Sequence, residues 1–354
     1  MDNRDPWSTQ RRAPLPTRRR ALLAATLAAP ATALAQVSGG PIQPAAPSGA
    51  PAIGPRWPDH PIRMIVAWPP GGGADTPARL AAPTMQRVLG QPLVIENRGG
   101  ASGAIGQGVA AQAPADGYTV LADTSGIITN SLLVPNLGFD SEKAFTPVCK
   151  LVDSPLILVV RADSPLRSLA ELLEQMRREG GKLPFASSGA GGGTYISVIT
   201  LMQRAGVSAT HVAYRGGAQS ILGLVGGDAV FTFSTLPQAV PLVLEGRLRA
   251  LAVSTPQRLA NLPDVPTVAE QGFPGYSYAE FLGFHVPAGT PAGPINRLWE
   301  AAAEAMKQPE VLARLGQIGM LPAPLGPREF QHFISEHRAF LRARIADGSL
   351  KRED

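Results

Sequence analysis

The residues best suited to chemistry in this sequence are glycines. Four glycine-rich turns follow short apolar runs and precede longer amphipathic ones. They are Pro69-Pro70-Gly71-Gly72-Gly73-Ala74-Asp75, Asp123-Thr124-Ser125-Gly126, Ser187-Ser188-Gly189-Ala190-Gly191-Gly192-Gly193-Thr194 and Tyr214-Arg215-Gly216-Gly217. Glycine lets the backbone approach a ligand and turn its N–H groups outward. A helix N-terminus behind such a loop adds partial positive charge. Together they hold a carboxylate or phosphate without a charged side chain. Glycine at a strand-to-helix turn can equally be turn chemistry alone, but four such turns at one end of a sheet favour a site. A hydrogen bond to a charged group contributes ~1.5–3 kcal/mol. Four reach the roughly 8 kcal/mol of a micromolar complex before ordering costs.

Other chemistry is weakly represented. No Gly-x-x-x-x-Gly-Lys-Ser/Thr run occurs, so the glycines are not a nucleotide-binding P-loop. Gly106-Gln107-Gly108-Val109-Ala110-Ala111 fits a dinucleotide fingerprint, but it lies inside an expected helix and reads as close helix packing. There is no Gly-x-Ser-x-Gly elbow. His60, His211, His285, His332 and His337 form no His-x-x-x-His pair, so no metal site is expected. His332 and His337 read as solvated helix residues, and His211 as a core or rim residue. Asp75 and Arg79, four apart, read as a first-turn acid with its ion-pair partner. A carboxylate aimed at an anion site would repel the ligand. Trp68 is expected in the core and Tyr195 on a pocket wall.

The elements that must position these turns alternate. Strands are expected at 62–68, 92–96, 119–122, 156–160, 183–186, 210–214, 229–233 and 250–253. Helices are expected at 75–89, 104–113, 168–178, 194–205, 218–225 and 236–245, with proline-opened helices at 291–307, 309–315 and 327–346. Alternation means an α/β fold with mainly parallel sheets flanked by helices. Ligands of such sheets sit outside the carboxyl ends of the strands. Two series imply two lobes: 57–155 with 276–354, and 156–275. Residues 156–161 and 278–286 are long enough to cross between them, with hinges expected at Arg161–Ala162 and Tyr278–Val286.

Charge excludes a nucleic-acid partner. Residues 1–35 hold six Arg and two Asp, net +4 of the chain's +5, which leaves +1 for the rest. That basic tract, the apolar run 21–30 and Ala33-Leu34-Ala35 read as an export signal, by the Sec or the Tat route. The run is too short to anchor the chain stably in a bilayer. Residues 36–56 read as a Pro/Gly/Ala-rich spacer. The lone Cys149 is expected buried in an apolar strand over 145–152.

Ile62-Arg63-Met64-Ile65-Val66-Ala67-Trp68-Pro69-Pro70-Gly71-Gly72-Gly73-Ala74-Asp75 resembles the opening of the Bug (Bordetella uptake gene) family of TctC-type periplasmic solute-binding proteins. Glu96-Asn97-Arg98, Asp116-Gly117-Tyr118-Thr119, Thr124-Ser125-Gly126, Tyr214-Arg215-Gly216, Leu248–Val253, Leu262–Thr267 and Pro287–Pro291 match in order. The resemblance implies a two-lobed periplasmic-binding-protein fold, type II-like, with the ligand in the cleft. It also implies that Pro70, Gly71, Gly72, Gly73 and Ala74 hold a carboxylate. In the second-lobe loop, Gly192 and Tyr195 stand where the family has Ser and His. Ser234 stands where a strand-end acid is usual. Those losses point away from an amino-bearing ligand, towards a plain or aromatic carboxylate.

The candidate ligand-binding residues are therefore Pro70, Gly71, Gly72, Gly73, Ala74, Asp75, Thr124, Ser125, Gly126, Ser188, Gly189, Thr194, Tyr195, Tyr214, Gly216 and Ser234. The expected protein is a periplasmic, monomeric, non-enzymatic carrier that needs no cofactor. It delivers a small organic carboxylate to tripartite transporter membrane subunits. The rivals are a ligand sensor without a transporter, a secreted hydrolase using Ser125, Ser187 or Ser188, and a purely structural or interaction protein. The hydrolase would need a base, and no histidine is expected at a comparable loop.

Overall fold

The computed structural model describes residues 57–134, 137–346, 348 and 350. The expected export signal and spacer lie outside them. The first series runs β1 (Ile62–Val66), α1 (Asp75–Leu89), β2 (Leu93–Asn97), α2 (Ala104–Ala111), β3 (Thr119–Asp123) and α3 (Gly126–Leu133). β1 lies between β2 and β3, parallel to both. α1 stops at Gly90, which takes the left-handed φ of 74° that favours glycine.

β4 (Phe145–Arg161) then runs for 17 residues and joins two parts of the sheet. The second series is α4 (Leu169–Glu179), β5 (Pro184–Ser187), α5 (Gly193–Ala205), β6 (Thr210–Ala213), α6 (Gly217–Gly226), β7 (Phe231–Thr235), α7 (Leu236–Leu244) and β8 (Leu248–Val253). β5 lies parallel to β6 and β7. α4 starts where the Ser168 hydroxyl accepts the Glu171 N–H at 3.2 Å. β9 (Ala279–Pro287), α8 (Ala292–Ala305), α9 (Pro309–Gln317), β10 (Leu321–Leu325) and α10 (Pro327–Ala346) complete the chain.

The sheet order is β2-β1-β3-β9-β4-β7-β5-β6, with β8 and β10 also on β4. β4 pairs antiparallel with β9 from Phe145 to Pro155, then with β7 from Leu156 onward. β4 therefore changes partner at Pro155–Leu156. Ser254 fixes this point. Its hydroxyl accepts the Leu156 N–H at 2.8 Å and donates to the Tyr278 carbonyl at 2.6 Å. The parallel strands are those expected, and the antiparallel pairs all involve β4 or β9.

Three elements escape the sequence reading. α3 is buried on nearly every face, so it carries no amphipathic period. β4 is a single strand although Pro147 and Pro155 interrupt its pattern, and a bulge near Pro147 absorbs the first. β10 holds two prolines at an edge, where they cost no ladder bond. Cys149 is buried in β4 as expected, and burial pushes its thiol pKa up. His337 is buried against Phe333, with ring centroids 3.9 Å apart, rather than solvated. His332 does face solvent, beside Glu336.

Candidate functional site

The carboxyl ends of β1, β3, β5 and β7 and the start of β9 meet around a cavity of about 40 Å³. It is lined by Trp68, Pro69, Gly72, Gly73 and Ala74 before α1, Thr124 before α3, and Ser188 and Thr194 around the start of α5. Gly217 at the start of α6, Thr235 and Gln238 at α7, and Glu280 on β9 complete the wall. Five helices thus begin at this wall.

The first loop is braced from outside the cavity. Gly71 takes a φ of 75°, and its N–H donates to Asp75 at 2.9 Å. Asp75, 2% exposed, also accepts from Arg79 Nε at 2.9 Å and from Asn97 Nδ2 at 2.8 Å. Asn97 Nδ2 reaches the Trp68 carbonyl as well, at 3.0 Å. Burial pushes the Asp75 pKa up, but the bonds from Arg79, Gly71 and Asn97 outweigh it and hold the carboxyl below its usual range. Asp75 is thus the first-turn acid with its i,i+4 partner, and it is absent from the cavity wall. Among the described residues the N–H groups of Gly72, Gly73 and Ala74 have no partner.

The second loop starts at Asp123, which is fully buried. Its Oδ1 accepts from Trp68 Nε1 at 2.7 Å and from the Thr124 N–H at 2.8 Å, and its Oδ2 from Gln107 Nε2 at 2.6 Å. Burial pushes its pKa up to about 7 against these bonds, and nearby Glu280 adds to the rise. Trp68, 9% exposed, is therefore both core and wall.

Glu280, 5% exposed, is the one ionisable residue of the cavity wall. Its Oε2 accepts the Ser125 N–H at 3.1 Å. Its Oε1 accepts the Ser125 hydroxyl at 3.1 Å and the Gly193 N–H at 2.5 Å. Burial pushes its pKa up, while the bonds from Ser125 and Gly193 act in the opposite direction. Serving as a double helix cap, it closes the first turns of α3 and α5 together.

The third loop spends most of its N–H groups on the protein. Ser188 donates to Thr194 Oγ1 at 3.0 Å, Gly189 to Ser187 Oγ at 3.0 Å, Gly191 to Ser102 Oγ at 3.2 Å and Gly192 to the Gly189 carbonyl at 3.0 Å. A Cβ at Gly189 or Gly191 would overlap Ser102 or Asn130, so these glycines serve close packing. Ser187 Oγ lies 2.6 Å from His211 Nε2, although no histidine was expected there. Ser187 is fully buried and also accepts the Gly189 N–H, so the pair braces the loop.

Six of the sixteen candidate residues line the cavity: Gly72, Gly73, Ala74, Thr124, Ser188 and Thr194. Pro70 and Gly71 are exposed outside it. Ser125 is turned to Glu280. Gly126 lies where a Cβ would meet the Ser102 carbonyl at 2.7 Å, and Gly216 where one would meet Pro69 Cγ at 2.9 Å. Tyr195 is a core aromatic rather than a pocket wall, 6.2 Å from Phe185 and 4.6 Å from His211. Tyr214 packs on Gly223, with its hydroxyl 3.4 Å from Asp228. Ser234 is buried one residue before Thr235, and it is Thr235 that reaches the wall. No acid stands at Ser234, but Glu280 on β9 places one on the cavity wall. Trp68, Pro69, Gly217, Thr235, Gln238 and Glu280 complete the wall without having been singled out. The proximity of Thr235 and Gln238 to the expected strand-end acid was the only available signal.

Among the described residues no group of three or more His, Cys, Asp and Glu could hold a metal ion, and no helix is long and apolar enough to cross a membrane.

Residues 77–347 match the sequence model of the tripartite tricarboxylate transporter family receptor, TctC. Protein BugT of Bordetella pertussis is 32% identical over 289 residues, which are 81% of this chain and 89% of BugT. The solved structure of Rpa4515 of R. palustris with adipate is 33% identical, with a TM-score of 0.78 over 83% of this chain and 98% of that one. MatC of Rhodopseudomonas palustris with bound malate is 30% identical, with a TM-score of 0.72 over 83% of this chain and 100% of that one. The fold is thus the two-lobed α/β fold of periplasmic binding proteins.

Proposed function

This chain belongs to the tripartite tricarboxylate transporter receptor family, and we propose that it captures a small organic carboxylate in the cavity between the first glycine loop and α5–α7. The observation that carries this reading is the set of N–H groups without a partner at Gly72, Gly73 and Ala74, residues that line a cavity at the start of α1. Adipate and malate, bound by two similar proteins, belong to the same ligand class.

In this proposal residues 57–155 with 276–354, and 156–275, are lobes that close on the ligand. They pivot where β4 changes partners at Pro155–Leu156 and where Ser254 ties Tyr278. Residues 1–35 direct export to the periplasm. The monomer then hands its cargo to a membrane transporter and carries out no reaction.

The test is thermal unfolding after a denature–refold step that strips carried ligand. Mono-, di- and tricarboxylates are then added. A ligand at about a hundredfold over Kd adds roughly 2.7 kcal/mol of stability. A shift with one acid class, without turnover, supports the reading. No shift with any acid contradicts it.

A further inference from the structure

We propose that Glu280 sets the ligand class of this site: a compact monocarboxylate whose second polar group is a hydrogen-bond donor, such as a hydroxyl or an ammonium. The proposal rests on the carboxylate-binding reading above and narrows it.

The cavity is two-sided. On one side the Gly72–Ala74 backbone offers N–H donors with no partner among the described residues. On the other, the leading donors of α3 and α5 are already occupied. The Ser125 N–H, the Ser125 hydroxyl and the Gly193 N–H all point at Glu280. What α3 and α5 present to the ligand is therefore a buried carboxylate in place of two positive helix ends. Among the described residues no Lys, Arg or His lines the cavity to offset it. A ligand spanning the cavity meets donors at one end and an acceptor at the other. One carboxylate satisfies the first, and a hydroxyl or ammonium satisfies the second. A second carboxylate would stand against Glu280, and like charges juxtaposed in a desolvated site repel.

Size points the same way. A water needs at least ~10–15 Å³ on the same measure, so about 40 Å³ is a space of a few water positions. That space favours a compact acid over a long one.

The test is calorimetric titration of the refolded protein with acetate, glycolate, glycine, malonate and succinate, repeated on Glu280→Gln. The wild type is expected to bind glycolate or glycine at least about tenfold more tightly than malonate or succinate. Glu280→Gln is expected to narrow that ratio about tenfold by admitting the diacids. The wild-type ratio alone tests the proposal should the variant fold poorly. Diacids binding the wild type as tightly as glycolate and glycine would overturn it. So would a folded Glu280→Gln protein with an unchanged ratio. If diacids bind, the carboxylate reading stands and only this proposal falls. If no carboxylate binds, both fall.

Discussion

The Gly193 N–H donates to Glu280 at 2.5 Å, so α5 begins on a carboxylate supplied by β9, 87 residues further along the chain. The φ of Gly193 does not demand glycine; the space does. A Cβ there would overlap the Glu280 carboxyl and the Tyr278 hydroxyl. The same carboxylate holds Ser125, which couples the first turns of α3 and α5.

Gly193→Ala should therefore expel Glu280 from its cap. Overpacking of a buried site costs about 1–3 kcal/mol. Thermal unfolding should show a lower Tm for Gly193→Ala, and an unchanged Tm would mean that the cap is not formed.

Two glycines of α2 should respond oppositely to alanine. A Cβ at Gly106 would lie 2.7 Å from Ala67 Cα and 2.9 Å from the Arg98 carbonyl, both backbone atoms that cannot step aside. Gly106→Ala should destabilise by about 1–3 kcal/mol. At Gly108 the nearest atom is Phe139 Cε1 at 3.8 Å, an ordinary contact. Gly108→Ala should stabilise by up to about 1 kcal/mol through helix propensity. Denaturant unfolding of the two variants separates these outcomes.

Asp75→Asn should loosen the first loop. The new amide places a donor against Gly71, Arg79 and Asn97, which all donate to this position. The loss should be about 1–3 kcal/mol of stability, with weaker carboxylate binding on the same variant. The folded-state pKa of Asp75 is held down, so its contribution is present above pH 3.8 and is lost as pH falls further. Acid unfolding of Asp75→Asn should lack that component.

Burial pushes the pKa of His285 down to about 3 and that of His337 down to about 4. Below pH 6.5 the unfolded chain binds protons that these folded imidazoles refuse, so stability falls with pH. For each histidine the loss between pH 7 and pH 5 approaches about 2 kcal/mol. Asp123 acts in the opposite sense. Its pKa is raised to about 7, so its contribution falls as pH rises from 3.8 to about 7. Denaturant unfolding at pH 5 and pH 7 should show a shallower acid-side loss in His285→Leu than in the wild type. Equal losses would contradict the neutral, buried assignment.

What the sequence made legible was what is encoded locally. The helix ending at Gly90 and the three helices opened by prolines each depend on neighbours within a turn or two. The first loop was legible for the same reason, and three of its residues, Gly72, Gly73 and Ala74, do reach the cavity. Glu280 was not, because its role exists only once β9 brings it to Ser125, 155 residues away in sequence. Tyr195 and Tyr214 were misread because an aromatic beside a loop can turn to core or cavity, and only packing decides. The third loop looked like an anion cradle because its glycines resemble those of the first. Most of its N–H groups are in fact spent on Ser102, Ser187, Thr194, Glu280 and the Gly189 carbonyl.

The central claim is that a carboxylate sits on the N–H groups at the start of α1. A crystal structure of the refolded protein with the tightest acid from the titration series tests it most directly. The account predicts a carboxylate oxygen within hydrogen-bond distance of the Gly72, Gly73 or Ala74 N–H, with the ligand's other polar group facing Glu280. A bound acid held elsewhere, with no contact to that loop, would contradict it.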